Sequence, residues 1–136
     1  MKIAKHGKLI LLLATGMFLS SCSDKSKLLV RTWMVENLKY SKEVPKELQP
    51  QIEKSVEELR KSFRLTYNAD GTYNTQNNEQ VLNGKWKLNW NSSVITSTPD
   101  KGETKDFKIA ELSETKFTFK AMEGGEEVTF EMVPAK

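Results

Sequence analysis

From Phe63 onward the chain repeats one device, a short run in which apolar and polar residues alternate, followed by a turn. Successive residues of an extended strand point to opposite faces, so each run makes a strand with one buried and one wetted side. Phe63, Leu65 and Tyr67 alternate with Arg64 and Thr66, Asn68-Ala69-Asp70-Gly71 reverses the chain, and residues 72–75 return as a partner strand. Gly84 opens a run that puts Trp86, Leu88 and Trp90 on one face. Further runs follow at 94–98, 107–111, 117–119 and 128–132, with Gly102 and Gly124-Gly125 in the turns. Ahead of all these, residues 29–35 are rich in branched and aromatic side chains. Eight short antiparallel neighbours form a meander, and closing it removes the free edges that would otherwise pair with other chains. The expected fold is mainly β, an eight-stranded antiparallel meander barrel.

One segment breaks the period of two. Leu48, Ile52, Val56, Leu59 and Phe63 recur at helical spacing, which predicts a helix over about 46–62, inserted after the first strand. Pro45 and Pro50 fall near its start, where a missing N–H does least harm, and Glu57 and Lys61 stand four apart as an ion pair. The apolar stripe is narrow, so the helix must pack on something larger and cover an end or a side of the barrel.

The N-terminus has a different character. Lys2, Lys5 and Lys8 precede an apolar stretch from Leu9 to Leu19, too short for a spanning helix of about 20 residues. Leu19-Ser20-Ser21-Cys22 closes it and resembles the lipobox cleaved by the lipoprotein signal peptidase. This divides the chain into a signal peptide at 1–21, a lipidated tether at 22–27 and a barrel domain at 28–136. The resemblance implies that Cys22 carries the lipid and holds the protein on a membrane. It also implies the cell envelope, specifically the outer membrane, on its periplasmic face or at the cell surface.

Cleavage also redraws the chemistry. The signal removes three of 21 basic residues and no acids, leaving a balance against the 18 acids and no basic surplus for nucleic acid. His6 is the chain's one histidine and Cys22 its one cysteine, so the folded part holds neither an imidazole nor a free thiol. Histidine bases, cysteine nucleophiles, Cys/His zinc sites and disulfides are thereby excluded from it. The adjacent acids Glu57-Glu58 and Glu126-Glu127 point different ways on a helix or strand and make no carboxylate dyad. Asp70-Gly71 lacks the alternating oxygen ligands of a calcium loop. The expectation is no enzyme and no cofactor.

Several of these residues together support a family resemblance. Leu28-Leu29 with Trp33, Phe63-x-Leu65, Asp70-Gly71-Thr72-Tyr73, Gly84-x-Trp86-x-Leu88, Phe107-x-Ile109-x-x-Leu112 and Phe117-x-Phe119 follow in order. This pattern resembles the lipocalin-like domain of small lipoproteins of Bacteroidota, over nearly all of residues 28–132. The family often has Gly two residues before its first Trp. Here that place is Arg31, which either packs over the indole plane, as arginines do in lipocalins, or reaches solvent.

What remains to carry function is aromatic. Trp33, Phe63, Tyr67, Trp86, Trp90, Phe107, Phe117, Phe119 and Phe130 are expected to face mostly inward. An eight-stranded barrel is at the size where side chains fill the interior or leave room for one small ligand. Short strands without a disulfide favour the filled core. In a pocket, Trp33, Trp86, Trp90, Phe107 and Phe119 would be walls and Tyr67 or Arg31 the polar contact. The resemblance implies a non-catalytic lipoprotein that holds a small hydrophobic ligand inside the barrel. The alternative is an interaction or inhibitor module that binds an envelope protein through the barrel exterior or the helix.

Overall fold

The computed structural model describes residues 25–136; the signal peptide expected at 1–21 and the lipidation expected at Cys22 lie outside the described residues. Residues 25–29 form one helical turn. Eight strands follow: β1 (Thr32–Tyr40), β2 (Phe63–Tyr67), β3 (Thr72–Asn77), β4 (Gln80–Leu88), β5 (Val94–Pro99), β6 (Lys105–Leu112), β7 (Phe117–Glu123) and β8 (Glu126–Pro134). Each is antiparallel to the next, and β8 pairs back onto β1 to close the barrel. The one long helix among the described residues, α1 (Gln49–Ser62), lies between β1 and β2. The expected architecture is the observed one.

The first strand departs from expectation in extent. It begins at Thr32 and runs to Tyr40, while Leu29 belongs to the preceding helical turn and is fully buried. A bulge between Val35 and Asn37 inserts one residue and resets the alternation. Leu38 and Tyr40 thereby come opposite Phe130 and Val128, on the inner face. A second bulge, between Ile109 and Glu111, does the same for Leu112 on β6.

Helix α1 has Pro50 in its first turn, and Leu48 at its N-cap makes no side-chain cap bond. Val56 is its buried residue, and Leu59 and Phe63 pack against the core. It seals a gap: β2 pairs with β1 only at Thr32–Met34 and then diverges. Beyond that point the Arg60 guanidinium donates from Nε to the Glu36 carbonyl at 2.7 Å, tying the helix to β1. Glu57 pairs with Arg60 at 2.7 Å rather than with Lys61. This exposed pair is worth a fraction of a kcal/mol, roughly 0.2–1.

The barrel has two unlike ends. At one stand the helical turn and the β2–β3, β4–β5 and β6–β7 turns, and at the other stand α1 and the β3–β4, β5–β6 and β7–β8 turns. We call them the closed and the open end.

Candidate functional site

The closed half is built first by two indoles whose N–H groups are taken up by backbone carbonyls at that end of the barrel. Trp33 is fully buried and its Nε1 donates to the Leu29 carbonyl at 3.0 Å. Trp86 donates from Nε1 to the Asn68 carbonyl in the β2–β3 turn at 3.1 Å. Phe117 packs 5.3 Å from Trp33, and Tyr67 lies edge-on to Trp86 at 5.1 Å. Leu29, Val35, Ile95 and Met132 complete a solid plug, each at most 1% exposed. Arg31 sits 5.3 Å over the Trp33 ring and donates from Nη1 to the Glu114 carbonyl at 2.7 Å. It clamps the closed end from outside, so of the two positions open to Arg31 the one over the indole is occupied. Trp33, Trp86 and Arg31 are therefore floor and clamp, placed away from any opening.

One inward position nearer the mouth, the side chains shrink. Along β3 the inner face passes from Tyr73 to Thr75, along β4 from Trp86 to Gly84, along β5 from Ile95 to Ser97, and along β7 from Phe119 to Ala121. Four strands take this step, though not in one row: Gly84 stands opposite Tyr73, and Ser97 opposite Trp86. The result is a cavity of about 620 Å³, within the range of roughly 300–1,000 Å³ that holds a small molecule. Its walls are Phe63, Leu65, Phe107, Phe119 and Phe130, with Leu82 at the lip. Phe119 stacks on Phe130 at 4.9 Å and 5°, and Phe107 lies 5.3 Å from Phe119, so three rings form one continuous panel. The interior is thus neither wholly filled nor wholly open: the closed half is packed and the open half is not.

Gly84 permits part of this shape. A Cβ there would lie 2.6 Å from the Tyr73 ring and 2.5 Å from the Thr98 carbonyl oxygen. With only hydrogen at that place, the Tyr73 ring, which lines the cavity, can approach the β4 backbone closely.

Polar groups are few and graded by depth. At the bottom, the Tyr67 hydroxyl and Ser97, the one buried polar residue among those described, both line the cavity. Burial, with the neighbouring Tyr73 adding to it, pushes the Tyr67 phenol well above the ordinary tyrosine range. It is a neutral hydrogen-bonding group at any physiological pH. At the mouth stand Lys101, Glu103, Lys105 and Glu123. Lys105 is the cross-strand neighbour of Ser97 and continues its face. The arrangement can enclose an apolar body, offer one hydroxyl pair at depth and meet a charged or polar head at the rim.

Of the residues expected at a site, Tyr67, Phe107 and Phe119 line this cavity. Trp90 requires a correction. It is 94% exposed, because β4 ends at Leu88 and the chain turns at once, Asn89 Oδ1 accepting from the Ser93 N–H at 2.8 Å and the Val94 N–H at 3.0 Å. The alternation through Trp86 and Leu88 stops one residue short of it. The small residues Gly84, Ser97 and Ala121 were overlooked as makers of the space. Their signal was available as small side chains standing in sequence positions that alternation assigns to the core.

The comparisons agree with this geometry. The model of the lipocalin-like domain family matches residues 29–119, from the closed-end plug to the aromatic panel. The crystal structure of a DUF4847 family protein from Bacteroides vulgatus superposes with a TM-score of 0.59 at 13% identity. The match covers 82% of this chain and 97% of that one, a likeness of fold alone. No curated protein matches the sequence. By the matched residues and by its eight-stranded closed barrel, the chain belongs to the lipocalin-like domain family.

Proposed function

We propose that the protein is a non-catalytic, lipid-anchored binding protein of the cell envelope, and that a small apolar or amphipathic molecule occupies the open half of its barrel. The observation that carries this reading is the cavity of about 620 Å³ with its three-ring panel. Burying apolar surface of a ligand there is worth about 25 cal/mol per Å² before the costs of association. An aliphatic chain or fused-ring body fits the walls, and a polar head fits the rim at Lys101 and Lys105. The anchor rests on Cys22 at the end of the lipobox-like tetrapeptide.

Native mass spectrometry of protein purified from its host tests the reading. A co-purifying small molecule that is lost in Ala121→Phe, which fills the cavity from β7, supports it. Wild-type protein that carries nothing, and that binds no member of a panel of fatty acids and sterols saturably, overturns it.

A second reading has its own observation. Between α1 and the far half of β1 runs a groove of about 780 Å³, floored by Leu38, Ile52 and Val56 and bordered by Lys42, Glu43 and Glu53. A segment of another envelope protein fits such a groove, and a co-purifying protein released by Ile52→Asp would favour it.

A further inference from the structure

Trp90 is an indole with no place in the barrel, held out on a braced turn. Asn89 fixes the turn through two N–H bonds, Asn91 Oδ1 accepts from the Ser93 hydroxyl at 2.6 Å, and Ser92 takes a left-handed φ of 57°. An isolated exposed apolar residue is ordinary, but a 94% exposed tryptophan on a rigid tip is an expensive thing to leave in water. Indoles favour the membrane–water interface, where the ring is half apolar and its N–H stays wet.

The position of the tip gives that preference a target. Residues 25–29 are pinned at the closed end, where Leu29 is buried under Trp33. Ser26, Lys27 and Val30 share a depression with Trp86, Lys87 and Leu88, next to the Trp90 turn. The chain therefore leaves the barrel beside Trp90. From Lys25 back to Cys22 there are three residues, a span of at most about 11 Å. A lipid on Cys22 puts the closed end against the bilayer.

Charge points the same way. The closed-end segments 25–31, 68–71, 89–93 and 113–116 carry the cations Lys25, Lys27, Arg31 and Lys116 against Asp70 and Glu114. The open-end segments 41–48, 78–79 and 100–104 carry five acids and three lysines. The end that meets the lipid is basic and the end that holds the cavity mouth is acidic, the polarity that an anionic lipid surface favours.

We propose that Trp90 is a membrane-interface contact that, with the Cys22 anchor, stands the barrel on its closed end and turns the cavity mouth away from the bilayer. A ligand would then enter from the aqueous side or from a partner, and not by direct transfer from the leaflet that holds the anchor. The proposal rests on lipidation at Cys22, and its test separates the two.

The lipidated protein is reconstituted in vesicles of phosphatidylethanolamine and phosphatidylglycerol, with and without lipids brominated near the head of the acyl chain. Trp33 and Trp86 are internal controls. The expected result is bromolipid quenching of the emission that disappears in Trp90→Phe, with little quenching of the remaining two indoles. Lipidated wild-type protein whose Trp90 emission is quenched by aqueous iodide and not by bromolipid overturns the orientation alone. Shielding from iodide without bromolipid quenching also overturns it, and points to a protein on that face. If mass spectrometry of the Cys22 peptide shows no lipid, the anchor and the orientation fall together.

Discussion

The closed and open halves of this barrel are made by the same eight strands, yet one is a packed core and the other a cavity. The difference lies in a step down in side-chain size, taken along each of four strands and not in one row of the sheet. Below it stand Trp33, Tyr67, Trp86, Ile95 and Phe117, and above it stand Thr75, Gly84, Ser97 and Ala121. A two-residue step along four strands opens the space, and Lys101, Gly102 and Glu103 of the β5–β6 turn complete its rim. The closed half also satisfies its indole donors on backbone carbonyls of the N-terminal helical turn and the β2–β3 turn, so both indoles are fixed in direction. The panel of Phe107, Phe119 and Phe130 has no polar atoms to direct it and is held by stacking and strand geometry alone. On the proposed function, stability and binding therefore fall to different halves.

The largest effect should come from the plug. Trp33→Ala should cost about 3–5 kcal/mol, read in urea melts, because the ring is fully buried and its neighbours cannot collapse into so large a void. Trp90→Ala, an equal truncation outside the core, should stay within about 0.5 kcal/mol. Equal costs would mean that the plug does not carry the stability.

Gly84→Ala comes next. The added methyl meets two backbone atoms of β5, the Thr98 carbonyl oxygen at 2.5 Å and Pro99 Cα at 2.8 Å, so more than the Tyr73 ring must move. The expected loss is about 1–3 kcal/mol. A neutral result would show that β4 and β5 separate easily at the cavity level.

Filling the open half should behave in the opposite way. Ala121→Phe projects into empty space, so its stability should change by less than about 1.5 kcal/mol while ligand binding is lost. A binding assay with a fatty acid probe, run beside the melts, checks both parts.

The smallest effect belongs to the boundary between the halves. In the folded state Tyr67 keeps its proton above the ordinary tyrosine pKa of about 10, because burial disfavours the phenolate. The unfolded chain releases that proton sooner. The stabilisation is therefore complete below about pH 10 and is lost as pH rises beyond it. Tyr67→Phe should flatten this alkaline loss, with a change near neutrality of less than about 1.5 kcal/mol, because only one neutral hydroxyl is removed. Tyr73, raised by partial burial and by Asp100, should leave a residual slope. An unchanged alkaline profile in the variant would place Tyr67 outside the buried boundary.

How much of this was legible in the sequence differs by feature. The strands whose alternation is unbroken, such as Phe63–Tyr67 and Phe117–Phe119, could be read directly, as could the helix from its stripe. The far half of β1 could not, because the bulge after Val35 shifts Leu38 onto the inner face and spoils the period. Residues 76–83 are equally hard to read: Gln76 and Asn77 have no strand pattern yet pair with both β2 and β4, and Asn78 and Glu79 form the turn between β3 and β4. Trp90 was misassigned because alternation says nothing of where a strand stops. The cavity was the hardest feature to see, since aromatic residues that fill a core and those that wall a space look alike in sequence. Neighbours three strands apart decide between them.

The central claim is that the two halves of one interior differ in access, and methyl NMR reads both halves at once. Leu65, Leu82 and Ala121 report on the cavity, and Leu29 and Val35 on the plug. Titration of the folded, delipidated protein with a medium-chain fatty acid should shift the first group saturably and leave the second in place. Saturable shifts in neither group, or equal shifts in both, would contradict the division of the barrel into a solid floor and an open binding chamber.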